Sequence, residues 1–167
     1  MSTKAEIAEL DRRQIISGIV ALCLGSPALA ASDDQVILTI SGLGEKIEYT
    51  LDDLKAMESS SFSTSTIWSD GVMTFTGVPL HTLLARLGVT DGRLLLKAIN
   101  DYAVEVPVSD GIEGGPILAY LLDGKEMSIR DKGPLWLIYP YDQNPDYRSE
   151  VIYSRSIWQL DRIEVLP

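Results

Sequence analysis

Short segments rich in β-branched and aromatic residues follow one another from Gln35 to the C-terminus, with turn-forming residues between them. This spacing constrains the fold more than any other feature of the sequence, because short strands joined by tight turns form sheets. Two stretches, residues 50–57 and 79–87, have helical spacing with capping or first-turn residues at their starts. The pattern predicts a single α+β domain that is β-rich and has two or three short helices.

The predicted strands lie at short intervals, and each ends at residues that favour turns. Residues 36–40 and 46–50 predict a hairpin. The segment 134–140 is apolar throughout, as expected of a strand that is buried on both faces. Serine and threonine dominate residues 59–70, which predict an irregular loop. The remaining strands are predicted at residues 72–78, 93–99, 102–108, 117–122 and 156–165.

The N-terminal segment has the features of a cleavable export signal. Arg12 and Arg13 precede an apolar run, residues 15–24, which is too short to span a bilayer. Residues 28–30, Ala-Leu-Ala, then place small side chains at both specificity positions of a signal peptidase site. We therefore expect export to the periplasm and a mature domain over residues 31–167.

The paired arginines of this signal, residues 1–30, also resemble a twin-arginine export sequence. Twin-arginine cargo is exported folded and often carries a cofactor, so this feature favours a domain that holds a ligand. Asp11 and the missing downstream lysine depart from that pattern. Both general and twin-arginine export therefore stay open.

The chain is acidic, with a formal net charge of −10 at pH 7. Residues 1–30 contain three basic and three acidic side chains, so the whole excess of negative charge belongs to the predicted mature domain. An acidic surface repels phosphate backbones and anionic lipids. The sequence therefore argues against nucleic acid as a partner and against direct membrane insertion of the mature protein.

Few residues of the mature domain have the chemistry of an active site. The only cysteine, Cys23, is removed with the predicted signal, which excludes a thiol nucleophile, a thiolate ligand and a disulfide. The only histidine, His81, is expected on the solvated face of a helix. The sequence contains no zinc-binding histidine cluster and no phosphate-cradling glycine loop. We therefore predict no catalytic and no metal-binding residues.

Aromatic and charged residues cluster near the C-terminus, over residues 136–158. Two pairs, Tyr141-Asp142 and Tyr147-Arg148, are expected in loops, where binding residues concentrate. Aromatic faces stack on a flat heterocycle, while carboxylate and guanidinium groups bind its edge through hydrogen bonds. The cluster therefore indicates a site for a flat polar ring, although alternating Trp and Tyr residues are also typical of a strand core.

Five short motifs, in the same order along the chain, resemble the molybdopterin-binding domain of the sulfite oxidase family. The first begins with Thr-Gly-Val-Pro-Leu at residues 76–80, and the third ends with Asp-Gly-Lys at residues 123–125. The resemblance runs across nearly the whole mature domain and implies a β-rich, sulfite oxidase-type molybdopterin-binding fold. The five motifs lie at residues 76–84, 101–107, 118–125, 132–140 and 155–163.

The sequence departs from that family where the family's enzymes bind molybdenum. Their metal-ligating cysteine lies ahead of the Gly-Val-Pro-Leu motif, in a region that corresponds here to residues 63–68, which contain no cysteine. Hydroxyl groups stay protonated near neutral pH and replace a soft thiolate poorly. A basic family position near the C-terminus corresponds to Trp158. The exchange disfavours a phosphate-bearing cofactor and favours a bare ring.

Short exported domains with this departure resemble the periplasmic pterin-binding regulators of membrane-bound cyclic-di-GMP enzymes. The resemblance implies a non-catalytic sensor that binds a reduced pterin and docks on the periplasmic domain of a transmembrane diguanylate cyclase/phosphodiesterase or a sensor kinase. The aromatic residues of the site would stack on the ring, an aspartate would accept from its amino-pyrimidinone edge, and an arginine would donate to it. The expected ligand-binding residues are Trp68, Asp101, Tyr102, Tyr141, Asp142, Arg155 and Trp158.

Two other functions remain open from the sequence. One is a periplasmic oxidoreductase that binds molybdopterin and molybdenum without a protein thiolate, which the resemblance and the twin-arginine-like signal favour. The other is a protein-interaction module whose acidic surface meets a basic receptor while its pocket stays empty.

Overall fold

The computed structural model describes residues 35–167. The predicted export signal and its cleavage site lie outside the described residues. The strands are β1 (Val36–Leu43), β2 (Glu45–Thr50), β3 (Ser60–Ser65), β4 (Val72–Pro79), β5 (Arg93–Ala98), β6 (Ala103–Pro107), β7 (Ile117–Leu122), β8 (Lys125–Glu126), β9 (Leu135–Ile138) and β10 (Trp158–Leu166). The α-helices are α1 (Leu51–Lys55), α2 (Leu80–Leu87) and α3 (Glu150–Arg155), and short 3-10 helices span Val108–Asp110, Ile129–Asp131 and Pro145–Tyr147.

The strands form one sheet that branches at β10. The main path runs β2-β1-β10-β9-β7-β4-β3, and β5 pairs with β10 and with β6. The pair β1–β10 is parallel, whereas the other pairs are antiparallel. At the start of β10, Trp158 lies opposite Trp136 of β9. This pairing places two large rings next to each other at the branch point.

Several predicted elements are confirmed, together with the local chemistry that forms them. The first hairpin pairs β1 with β2. Helix α1 begins with a capping box, in which the Thr50 hydroxyl accepts from the Asp53 amide and the Asp53 carboxylate accepts from the Thr50 amide. Helix α2 ends at Gly88, whose φ of 68° is the left-handed conformation that glycine adopts readily. Strand β9 is buried on both faces, as its apolar sequence predicts.

The prediction of a loop over residues 59–70 was wrong for residues 60–65. These residues form β3, which pairs with β4 along the whole length of β3. Strand β3 is an edge strand, so its alternate side chains face solvent and need not be apolar. The Ser63 and Thr74 hydroxyls lie 2.9 Å apart across the pair. Pairing with β4 therefore outweighs the preference of serine for irregular structure.

The sequence predicts His81 on the solvated face of α2, and this prediction was wrong. The residue is half-buried, and its Nδ1 is buried without a hydrogen-bond partner within residues 35–167. Helix α2 packs against the 3-10 helix Val108–Asp110, and the residue that follows, Gly111, lies close to the backbone of His81. No helix in the described part of the chain is long and apolar enough to cross a membrane.

Candidate ligand-binding site

A cavity of about 530 Å³ opens between α3, the start of β10 and the turn that joins β5 to β6. Its volume falls within the range of small-molecule sites, roughly 300–1,000 Å³. Aromatic and small polar side chains predominate in its lining. The lining residues are Trp68, Ala98, Asn100, Tyr102, Glu150, Tyr153, Ser154, Ser156, Ile157, Trp158 and Gln159.

Three aromatic rings form one wall of the cavity. The ring centroid of Trp68 lies 5.4 Å from that of Trp158 and 5.8 Å from that of Tyr153, and both contacts are edge-to-face. Behind this wall, the buried ring of Trp136 lies 6.0 Å from Trp68 and 6.1 Å from Trp158. Edge-to-face packing holds rings in defined orientations. The wall is therefore preorganised for contact with a flat ligand.

Local hydrogen bonds place the two aromatic residues that come from loops. Between β3 and β4, the Thr66 hydroxyl accepts from the Trp68 amide and fixes the loop that carries the indole. In the β5–β6 turn, Asn100 Oδ1 accepts from the Tyr102 amide, while Asp101 adopts a left-handed φ of 65°. Tyr102 is 55% exposed and stands at the cavity rim.

The structure brings together three of the seven predicted site residues, because Trp68, Tyr102 and Trp158 all line the cavity. The other four do not line it. The Asp101 carboxylate forms a surface ion pair with Arg162, at 2.9 Å. The remaining three, Tyr141, Asp142 and Arg155, form hydrogen bonds with other residues of the domain.

Asp142 holds two segments together beside the cavity. Its carboxylate accepts from the Ser65 amide at 2.6 Å and from the Ser65 hydroxyl at 2.8 Å, and it also forms an ion pair with Arg148. In addition, the Asp142 amide donates to Thr64 Oγ1. The two hydrogen bonds from Ser65, followed by the contact with Arg148, lower the pKa of Asp142 below its usual value. The carboxylate is therefore occupied in fixing the end of β3.

Replacing Asp142 with alanine is expected to lower the free energy of unfolding by about 1 kcal/mol near pH 7, because the Ser65 donors lose a charged acceptor. The folded-state pKa lies below the unfolded one, so this stabilisation exists above about pH 4 and is lost as the pH falls through the folded-state pKa. Urea denaturation at pH 7 and pH 3 measures both values. The matched control is Asp146→Ala, on an exposed carboxylate four residues away. Equal losses for the two variants at pH 7 would contradict the role of Asp142.

Tyr141 and Arg155 support the cavity from outside its lining. Tyr141 is 1% exposed, burial raises its pKa, and its hydroxyl hydrogen-bonds with the hydroxyl of Ser156, a lining residue. The Arg155 guanidinium donates to Asp110 at 2.9 Å. The same Asp110 oxygen accepts from the Tyr139 hydroxyl at 2.7 Å. These contacts anchor both ends of the segment that leads from β9 through α3 to β10.

Besides two serines, the sequence analysis assigned no role to four residues that line the cavity with amide, carboxylate or phenol groups. One detectable signal was the Ser149-Glu150 pair, because serine at an N-cap followed by an acidic residue marks a helix start. The Ser149 hydroxyl indeed accepts from the Ile152 amide at the start of α3. This helix presents two of the missed residues to the cavity. The four residues are Asn100, Glu150, Tyr153 and Gln159.

The donor groups of residues 35–167 do not fit a molybdenum ion bound by a protein thiolate. This part of the chain contains no cysteine. Within it, no three side chains of His, Cys, Asp or Glu are grouped so that they could hold a metal ion. Among residues 35–167, no lysine, arginine or histidine lines the aromatic cavity. The cation beside its wall is Lys132, whose Nζ lies over the ring of Trp158, 6.0 Å from the ring centroid.

Comparison with known proteins agrees with the fold. The model of the oxidoreductase molybdopterin-binding domain family matches residues 26–143. Among curated proteins, no sequence matches the chain significantly. Among solved structures, the sulfane dehydrogenase SoxCD from Paracoccus pantotrophus is similar with a TM-score of 0.57 and 19% sequence identity, over 77% of this chain and 37% of that chain. At this identity the likeness shows the fold alone, and it confirms the predicted β-rich, sulfite oxidase-type architecture.

Proposed function

The chain belongs to the oxidoreductase molybdopterin-binding domain family, and on this premise we propose that it is a non-catalytic periplasmic sensor that binds a reduced pterin. Its loaded form regulates a membrane-bound diguanylate cyclase/phosphodiesterase. The aromatic-walled cavity is the observation that carries the proposal. Molybdopterin joins a pterin ring to a metal-binding dithiolene and a phosphate. The cavity lining has groups suited to the ring, whereas the lining among residues 35–167 includes no cation for the phosphate and the Lys132 ammonium lies over the Trp158 ring.

The cavity suits a pterin in both its faces and its edges. The indole and phenol rings of Trp68, Tyr153 and Trp158 offer apolar surfaces to the flat face of the ligand. The side chains of Asn100 and Glu150 provide polar groups at the rim. A few placed polar groups on a mainly apolar lining are typical of small-molecule sites.

We expect the purified protein to bind tetrahydropterin under anaerobic conditions with a dissociation constant in the micromolar range or below. Tryptophan fluorescence reports the binding because two of the three tryptophans line the cavity. Tyr102→Ala should weaken binding by about tenfold, since loss of one stacking ring removes roughly 1–3 kcal/mol. Tyr102 is mostly exposed, so this variant should fold normally. Ile112→Ala, at an exposed apolar residue outside the cavity, is the matched control. An absence of binding by the unmodified protein would refute the proposed function.

The β5–β6 turn supports the regulatory half of the proposal, because it connects the ligand site with a second surface. Tyr102 lines the aromatic cavity, whereas Ile99 lines a separate cavity of about 340 Å³. Two further exposed apolar side chains, Val36 and Ile129, line the second cavity. A ligand that moves the turn on one side therefore changes the apolar surface on the other side.

Charge supports the same type of partner. Residues 35–167 carry a net charge of −8. The two carboxylates that line the second cavity, Glu126 and Asp161, form ion pairs with Lys55 and Arg162, so the negative charge that faces a partner is that of the domain as a whole. A periplasmic receptor domain with a basic rim around an apolar patch complements this surface. Cross-linking in the native host, in cells that make pterins and in cells that cannot, tests whether the protein binds such a partner. Val36→Asp, on β1 and outside the β5–β6 turn, should abolish the cross-link and leave pterin affinity unchanged, and retention of the cross-link would contradict this docking surface.

The family membership itself favours a second candidate, a molybdenum-cofactor oxidoreductase. Metal analysis of the protein isolated from its native host decides between the two functions, because stoichiometric molybdenum would overturn the sensor proposal. Mass spectrometry of the small molecules released from the same sample separates a bound pterin from molybdopterin. It also detects the third alternative, an interaction module whose cavity is empty.

A further inference from the structure

We propose that Glu150 selects the ligand by accepting hydrogen bonds from two adjacent N–H groups on the edge of its ring. The inference rests on the proposed function and assigns to Glu150 the role that the sequence suggested for Asp101 or Asp142. It specifies the ligand class as heterocycles with a 2-amino-4-oxo-pyrimidine edge.

The charge of the cavity lining is negative. Among residues 35–167, Glu150 is the only acidic residue that lines the aromatic cavity, and no basic residue of this part of the chain lines it. A carboxylate has acceptor atoms only, so it favours a ligand edge that presents donors. A carbonyl oxygen would face the carboxylate as a second acceptor with no proton between them, and a phosphate would also repel it by its charge.

Within residues 35–167, the carboxylates near the site differ in whether they have partners. Asp142 accepts from Ser65 and pairs with Arg148, and Asp110 accepts from Tyr139 and Arg155. Within residues 35–167, Glu150 has no side-chain hydrogen bond or ion pair. Both of its oxygens can therefore accept from a ligand without breaking an internal contact.

Several other polar side chains of the lining already have partners within the protein. Ser154 and Ser156 donate to backbone carbonyls in α3, and Gln159 Nε2 donates to the Ile129 carbonyl. Asn100 uses its Oδ1 to accept from the Tyr102 amide, which leaves its NH₂ group as a donor. The cavity thus offers a paired acceptor on α3 and a donor on the β5–β6 turn. A pterin matches them with its N2 and N3 hydrogens and with its ring acceptors.

The test compares tetrahydropterin with tetrahydrolumazine, which has a carbonyl in place of the 2-amino group. The unmodified protein should bind tetrahydropterin about tenfold or more tightly, because the carbonyl of tetrahydrolumazine would oppose the Glu150 carboxylate. In Glu150→Gln, the side-chain amide both donates and accepts, which suits the edge of tetrahydrolumazine. The variant should therefore lose affinity for tetrahydropterin, gain affinity for tetrahydrolumazine and reverse the preference.

Glu113→Gln neutralises an exposed carboxylate outside the cavity and should retain the original preference. Equal thermal unfolding midpoints for the two variants and the unmodified protein verify that the folds are intact. If Glu150→Gln binds tetrahydropterin with the original preference, the inference is wrong while the proposed pterin-binding function stands. If the unmodified protein binds neither compound, both fail.

Discussion

Replacing Trp136 with alanine is expected to lower the free energy of unfolding by about 3–5 kcal/mol, which is the usual effect of truncating a buried aromatic side chain. Trp136 is 1% exposed, and its ring centroid lies 5.3 Å from that of Phe75 as well as close to Trp68 and Trp158. Its Nε1 donates to the Ser156 carbonyl at 3.2 Å. The substitution therefore removes both packing and a hydrogen bond at the branch point of the sheet.

The same variant should also bind tetrahydropterin less tightly, although Trp136 does not line the cavity. Without the ring behind them, Trp68 and Trp158 lose the contacts that fix their orientation. Urea denaturation monitored by far-ultraviolet circular dichroism measures stability, and calorimetry measures binding. Trp136→Phe is the matched comparison because it keeps an aromatic ring but removes the N–H donor, and it should lose less stability. A loss below about 1 kcal/mol for the alanine variant would show that the cluster does not act as a packed unit.

The strands of the core were predictable because burial leaves a periodic trace in the sequence. In β10, the buried Leu160, Ile163 and Val165 lie among less buried residues. The uniform apolar run of β9 likewise indicates a strand covered on both faces. Strand β3 could not be recognised in this way, because its Ser and Thr residues carry no hydrophobic pattern. Its conformation depends on a partner strand that single-sequence periodicity does not show.

The two tryptophans of the cavity wall could be singled out from the sequence, whereas the carboxylate of the lining could not. Large rings such as Trp68 and Trp158 are few, so the sequence draws attention to each of them. Carboxylates are many, and what distinguishes them is the set of partners that folding supplies. Asp142 is occupied by Ser65, which lies 77 positions away in the sequence. Glu150, eight positions after Asp142, lines the cavity.

The partner of Arg155 could not be predicted from the sequence either. The resemblance indicated that Arg155 faces a ligand, but its guanidinium donates to Asp110, 45 positions earlier in the chain. Asp110 follows β6 in a short 3-10 helix, and nothing in its local sequence identifies a partner in α3. The pair is only partly exposed, with 16% exposure for Asp110 and 23% for the Arg155 side chain. In this chain, the arginine of the motif therefore stabilises the fold.

Gly77→Ala is expected to destabilise the protein at the upper end of the roughly 1–3 kcal/mol that overpacking usually removes. A Cβ on Gly77 would lie 2.0 Å from the carbonyl oxygen of Leu118 and 2.5 Å from the Cα of Ala119. Both atoms belong to the backbone of β7, so no rotamer change relieves the collision. The register between β4 and β7 shifts between Thr76 and Gly77, which is an irregularity of the β-bulge type. The glycine of the Thr-Gly-Val-Pro-Leu motif is thus explained by the close approach of a neighbouring strand.

The matched control is Gly114→Ala, which introduces the same methyl group where no atom lies within 4 Å. Gly114 has a φ of 70°, so this variant should lose about 1–2 kcal/mol through backbone strain alone. Gly77 does not have a positive φ, and any larger loss there must come from the collision with β7. Urea denaturation of both variants at pH 7 measures the difference. If Gly77→Ala is as stable as Gly114→Ala, strands β4 and β7 can separate to admit a side chain. In that case, packing between these strands does not explain the glycine of the motif.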